Sequence, residues 1–243
     1  MSESVPPTDT DVPAGIQIRP LETVADIFAG AAVLRQVWGG DRDSVPTNLM
    51  RALAYAGNYV VGLYDGDRVV GASVAFFGEP GSRSMHSHVT GVLPEYQHQG
   101  LGRVLKQHQR AWAFAREVGT ITWTFDPLFA RNAHFNLRVL GARISDYLVD
   151  QYGLMDDGLN RGEVTDRLMV TWPLAAPPQQ TPTDDRVVAT IEIPDDIHAL
   201  RLASPADADA WRTRVREQFI AHLADGLAVG GFDDERGYLL VRR

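Results

Sequence analysis

The 243-residue chain is predicted to be an α/β (α+β) protein, with a central mixed sheet flanked by helices and a smaller C-terminal α/β extension. Three observations predict it. Apolar residues change period in the order β-α-α-β-β-β-α-β-α-β-β, so helices and strands interleave. Two apolar runs, Tyr59 to Tyr64 and Arg68 to Phe77, are separated by Asp65-Gly66-Asp67, a hairpin signal that sets them antiparallel. A third strand, about Ser84 to Leu93, leads into Gln97-His98-Gln99-Gly100-Leu101-Gly102-Arg103, a glycine-punctuated turn that opens an amphipathic helix.

Each element has a local reason. Ile16-Gln17-Ile18-Arg19-Pro20-Leu21 alternates like a short strand. Residues 23–37 place Val24, Ile27, Phe28, Ala31, Leu34 and Val37 at helical spacing, and a second helix is expected from Thr47 to Ala56. The helix after the glycine turn shows Leu101, Val104, Leu105, His108, Trp112 and Ala115 on one face. Thr120 to Phe125 is rich in β-branched and aromatic residues, and Asp126-Pro127 ends it. Asn132 to Leu140 reads as a helix stopped by Gly141, followed by strands at Ile144 to Gln151 and Arg167 to Trp172.

Residues 173–186 form a proline- and threonine-rich linker. Beyond it, in residues 187–243, Val187 to Ile193 resembles a strand. Ser204-Pro205 with Asp207 starts a helix, and Gly226 closes it. Gly237 to Arg243 offers a last strand. The helix carries Ala208, Trp211, Val215, Phe219 and Leu223 on one face, too apolar to stay in water. It is expected to dock on the first domain, the alternative being a dimer interface, because the linker is long enough to reach back. A monomer and a homodimer both remain open.

Composition narrows the function. A net charge of −8 argues against sequence-independent nucleic-acid binding, while leaving room for a local phosphate site. The absence of cysteine excludes disulfides, thiolate nucleophiles and cysteine-ligated zinc, and no metal is expected. Residues 1–13 are polar and proline-containing, expected to be disordered, and lack the apolar core of a signal peptide. No apolar run approaches a membrane span, so a soluble cytoplasmic protein is expected.

A strand, a glycine turn and a helix without an intervening loop aim several N–H groups and the positive end of a helix dipole at one small volume. Such a volume binds phosphate. A Rossmann turn needs a third glycine after two more residues, and a P-loop needs Gly-Lys-Ser/Thr; neither is present. The spacing Gln97-x-x-Gly100-x-Gly102, at this place in the order of elements, resembles the pyrophosphate loop of the GNAT superfamily of acyl-CoA-dependent N-acyltransferases. The resemblance covers roughly residues 14–172 and implies the GNAT fold, with a mostly antiparallel, splayed sheet. It implies that the backbone of His98, Gln99, Gly100, Leu101, Gly102 and Arg103 holds a pyrophosphate. It further implies that the backbone at Gly91, Val92 and Leu93 pairs with the pantetheine amides like an added strand. Acyl-CoA would be a co-substrate, with no cofactor tightly bound. The Arg103 side chain either meets a phosphate or is a solvated helix charge.

His86, His88 and Thr90 alternate along the strand before the loop and are expected on one face. In the resembled family, polar groups on this strand often deprotonate the amine, and an imidazole titrates near neutrality. His88, closer to the expected thioester, is the preferred base; the alternative is two surface or hydrogen-bonded histidines. Thr122, Thr124 and Asp126 share a strand face. Asp126 either holds an ammonium group or caps the Asp-Pro turn.

The resemblance also implies cofactor contacts at the next helix, here Asn132, Phe135 and Asn136, with the two asparagines one turn apart. A family tyrosine that protonates the leaving thiolate falls at Leu137. That role passes to Tyr147 or Tyr152, or to none, since a thiolate leaves readily.

The set Phe125-Asp126-Pro127-Leu128, Arg131-Asn132-Ala133, Phe135-Asn136, Leu140-Gly141-Ala142, Tyr152-Gly153, Asn160-Arg161-Gly162 and Thr165-Asp166-Arg167 looks like one GNAT subgroup with an extended C-terminus. Some of its members transfer acyl groups, succinyl among them, to amino acids. Asp166-Arg167 is read as a local salt bridge. The expected reaction is direct transfer of a short acyl group to a primary amine of a small molecule, with the Val92 N–H steadying the oxyanion. The alternative is a non-catalytic acyl-CoA-binding regulatory module, which Leu137 alone supports.

Overall fold

The computed structural model describes residues 12–39, 43–155, 158 and 163–243. Residues 1–11, expected to be disordered, and the Asn160-Arg161-Gly162 motif lie outside the described residues. Internal contacts divide the chain into two compact units, Met1–Thr122 with Asp156–Arg161, and Trp123–Met155 with Gly162–Arg243.

The first unit contains β1 (Ile16–Pro20), α1 (Val24–Trp38), α2 (Thr47–Tyr55), β2 (Tyr59–Asp65), β3 (Arg68–Phe77), β4 (Ser84–Val92), α3 (Leu101–Phe114) and the first half of β5 (Thr120–Phe125). Its strands lie in the order β1-β2-β3-β4-β5. The first four are antiparallel to their neighbours, and β5 runs parallel to β4. This is the mixed, mostly antiparallel sheet expected. Helix α1 starts at a capping box in which Thr23 and Asp26 satisfy each other's backbone N–H groups. Asp65-Gly66-Asp67 closes the β2–β3 hairpin, with Asp65 opposite Arg68.

Both strands of that hairpin are buried along nearly their whole length rather than at alternate positions. Helices on the two faces account for this. A Cβ on Gly91 of β4 would lie 3.1 Å from Val37 of α1, so that close approach requires glycine. On the other face, Lys106 and Gln109 of α3 reach β4 and β3.

The second unit contains the rest of β5, α4 (Ala130–Ala133) running into π-helical His134–Val139, β6 (Arg143–Leu148) and β7 (Arg167–Pro173). It continues through β8 (Ala189–Ile191), α5 (Ile197–Ala203), α6 (Pro205–Ala224), β9 (Leu227–Asp233) and β10 (Gly237–Arg242). Strands β6 and β7 pair antiparallel, and β8-β10-β9 form a separate three-stranded sheet. An aromatic chain makes the core: Tyr147 stacks on Phe219 at 5.2 Å, and Phe219 and Phe232 each meet Tyr238 edge-on. Thus the apolar face of α6 is buried at Ala208, Val215 and Phe219. Trp211 instead lies half-buried beneath the Arg214 guanidinium.

Two elements differ from expectation. Strand β9 is additional, because Gly230 and Gly231 interrupt its alternation and the β9–β10 ladder shifts register there. Helix α5 has seven residues, too few to display a helical period. Among the described residues no helix is long and apolar enough to cross a membrane.

Candidate active site

The first part of the site is the edge of β4. Leu93 N–H donates to the Val70 carbonyl at 2.9 Å, and Gly91 stands opposite Ala72 and Val92 opposite Gly71. In an antiparallel ladder, residues that bond across alternate with residues that do not. Leu93 and Gly91 therefore commit their backbone groups to β3, while Val92 and Thr90 turn theirs to the opposite edge. Strand β5 pairs with β4 only at Ser84 to His86. Gln97 Nε2 donates to the Val92 carbonyl at 3.0 Å, which ties the turn to the strand. The expectation of amides from Gly91, Val92 and Leu93 is thereby corrected to Val92, since the other two are used inside the sheet.

The second part follows directly. His98 (φ 64°) and Gly100 (φ 76°) both take left-handed backbone, and Gly100 is the N-cap of α3. Glycine bears that conformation without cost, and the alternation of backbone handedness turns successive amides to one side. The N–H groups of His98, Gln99, Gly100, Leu101 and Gly102 have no partner among the described residues. Arg103 N–H instead donates to the Gly100 carbonyl at 2.9 Å, so its amide closes the first helical turn and leaves the predicted set. The Arg103 side chain is exposed. No acidic residue and no side-chain cap compete for these donors. Five converging amides at a helix N-terminus fit a pyrophosphate.

The histidines come next. Val89 is opposite Val74, but Ser87 is opposite Ala75, so His88 is the extra residue of a β-bulge. A bulge exchanges the faces beyond it. Thr90 therefore leaves the face of the histidines and joins Ser87, correcting the expected alternation. The His86 and His88 rings gather about Phe76, at 5.4 and 6.0 Å. His86 Nδ1 lies 3.2 Å from Thr122 Oγ1. Burial, aided by the charges of His88 and Lys106, holds His86 down at about 4, which makes it a weak base. Partial burial also lowers His88, and its side chain remains the more open of the two. Both imidazoles are neutral at neutral pH, as a proton acceptor must be.

On the opposite face lies a buried polar cluster absent from the sequence reading. Lys106 Nζ donates to Ser87 Oγ at 2.8 Å and to Gln109 Oε1 at 3.4 Å. Ser73 Oγ lies 2.8 Å from Thr90 Oγ1 and accepts from Gln109 Nε2 at 3.4 Å. Burial brings the Lys106 ammonium down to about 7. The available signal was the serines and threonine in otherwise apolar strands, which need buried partners.

In the second unit the predicted residues are engaged in internal bonding. Asp126 caps the turn, accepting Leu128 N–H at 2.9 Å, and accepts Arg201 Nη2 at 2.7 Å. Arg201, 2% exposed in its side chain, also reaches Glu163 at 3.1 Å. The capping alternative thus holds for Asp126, and its ion-pair partner is already within the chain.

Tyr147 is buried and donates to Asp166 Oδ2 at 2.7 Å. Burial and that hydrogen bond push its phenol well above the usual tyrosine range. This corrects its expected catalytic place: its proton is held inside the unit. Arg216 grips the same Asp166 through two nitrogens, at 2.6 and 2.7 Å. The expected Asp166–Arg167 salt bridge is therefore replaced, and Arg167 donates to the Asp166 main-chain carbonyl.

Asn136 is buried and accepts from Trp123 Nε1 at 3.2 Å, whereas Asn132 is exposed and Phe135 half-buried. The π-helical turn beginning at His134 removes the shared face expected of the two asparagines. Tyr152 is 43% exposed, with its hydroxyl 2.9 Å from Thr124 Oγ1.

An edge-opened strand thus runs into a cradle of amides, donors of the kind that suit an amide-bearing, phosphate-tailed ligand. Residues 29–141 match the model of the acetyltransferase (GNAT) family. That match, with the fold, supports an enzyme of the acyl-CoA-dependent N-acyltransferase type with acyl-CoA as co-substrate. No curated protein matches the sequence. Among solved structures, the ribosomal-protein-S18-alanine N-acetyltransferase from Escherichia coli is 17% identical, with a TM-score of 0.54 over 69% of this chain and 99% of that one. The protein yncA from Salmonella typhimurium, with its cofactor acetyl-CoA, is 20% identical, with a TM-score of 0.52 over 67% of this chain and 98% of that one. At such identities the likeness shows the fold.

Proposed function

We propose that the protein moves an acetyl or other short acyl group, succinyl among them, from CoA to a primary amine of a small molecule such as an amino acid. The observation that carries the reading is the outward Val92 N–H on the β4 edge, in continuity with the five amides of residues 98–102. The amino-acid and succinyl choice is supported by the motif residues from Phe125 to Arg167 that resemble the extended GNAT subgroup.

The amine nitrogen, neutral, attacks the thioester carbonyl. An N–C bond forms and the carbonyl electron pair moves onto oxygen, where the Val92 N–H steadies it. His88, held neutral by its surroundings, takes the proton leaving nitrogen. Collapse re-forms the carbonyl and breaks the C–S bond, and the thiolate takes a proton from solvent. No cysteine is present to carry an acyl intermediate, so transfer is direct. Residues 187–243 belong to this reading as an extension of the acyltransferase domain.

A thiol-release assay with acetyl-CoA and succinyl-CoA against a panel of amines tests it. Release that requires an amine is expected. Binding of acyl-CoA without release on any amine would leave the regulatory module standing instead.

A further inference from the structure

Helix α3 touches both halves of the first unit's chemistry. Its N-terminus closes the amide cradle. One to two turns along, Lys106 and Gln109 are buried against β4 and β3. Their contacts are not spread evenly along the strand. Lys106 holds Ser87, and Gln109 holds Ser73, which in turn meets Thr90. Ser87 and Thr90 are the two residues that bracket the bulged pair His88-Val89.

A bulge interrupts ladder hydrogen bonds, so its geometry depends on what holds the residues either side. Here both sides are held by one helix. A fully buried ammonium is an unfavourable way merely to fill space, because a methionine of similar length would avoid the desolvation cost.

We propose that Lys106 is a positioning residue: through Ser87 it fixes the β4 bulge, and with it the direction of the His88 side chain and the outward Val92 N–H. Helix α3 then joins phosphate binding at its N-terminus to the alignment of the reacting strand. The catalytic consequence rests on the acyl-transfer reading above; the mechanical part does not.

The test compares Lys106→Met, Ser87→Ala and the double variant in the full-length protein. Lys106→Met is expected to lower kcat by about 10- to 100-fold, the scale of a misaligned reacting group. KM for acyl-CoA should stay within about twofold, since the cradle is untouched. Thermal stability should be equal or higher, because a desolvated charge is removed. Amide exchange at Val89 and Gly91, measured by NMR, should quicken in both single variants as the bulge loosens. The double variant should be no worse than Lys106→Met alone, because both act through one contact.

Wild-type kcat and unchanged exchange in a folded Lys106→Met would overturn the proposal, as would losses that simply add. If Lys106→Met fails to fold, Ser87→Ala decides by the same two readouts. A native protein inactive on every amine would remove the acyl-transfer reading, while the exchange rates would still decide the clamp.

Discussion

The two units bury polar groups to opposite ends. In the second, Asp126 and Glu163 close on Arg201, and Asp166 closes on Arg216 and Tyr147. In the first, the titratable groups at β4 are set to be neutral or near their midpoint, and six backbone amides, Val92 and residues 98–102, point away from the protein's own acceptors. A folded chain satisfies its buried polar groups unless something else is to satisfy them. The difference therefore separates bonds that hold the fold from donors with no acceptor among the described residues, the donors on which the proposed function rests.

The largest expected effect falls on the closed side. Arg201→Met leaves Asp126 and Glu163 facing each other without their cation, and should lower unfolding stability by about 3 kcal/mol or more. Urea denaturation followed by circular dichroism checks it. A loss below about 1 kcal/mol would mean that this cluster behaves like a surface pair.

On the open side, Gly102→Glu should fold normally. A Cβ there meets nothing within 4 Å, and a carboxylate in the first turn suits the helix dipole. The same carboxylate repels phosphate, so CoA affinity should fall by about 100-fold or more. Calorimetric titration giving native affinity would remove the cradle from residues 98–102.

His88→Ala sharpens the assignment within the open site. It should lower kcat by about 100-fold with little change in CoA affinity. Because His88 is held below the ordinary imidazole value near 6.5, the acid limb of kcat in the native enzyme should lie below that pH. A limb at or above it would point to a different base.

The smallest expected effect is on acid stability. Burial alone would raise the Asp166 carboxyl, but hydrogen bonds from Arg216 and Tyr147 outweigh it and hold the group below its usual range. A carboxyl lowered on folding stabilises the native state above its unfolded value near 3.9, and that stability is lost as pH falls through the folded value. Asp166→Asn should flatten the fall of the urea midpoint between about pH 4 and 2. A slope equal to that of the native protein would show that other carboxylates govern acid unfolding.

Much of the open site was legible because it is local. Gln97, Gly100 and Gly102 act within five residues of one another, and the conformations they adopt follow from their own chemistry. The bulge was not legible: nothing in Met85-His86-Ser87-His88-Val89-Thr90 says which residue is surplus until β3 is laid beside it with Ala75 against Ser87. Nor was the loss of the Arg103 amide, which depends on how tightly the first turn of α3 closes.

The sequence by itself determined the alternation of helices and strands, the β2–β3 hairpin and the glycine turn that opens α3, because each rests on spacings of a few residues. Tertiary structure alone decided that Asp126 meets Arg201, 75 residues away, and Asp166 meets Arg216, 50 residues away. It also decided that Lys106 is buried beneath the bulge. A charged side chain reads the same in sequence whether it faces water or a partner. Its partner is chosen only when packing of the apolar faces brings distant segments together and removes the water between them.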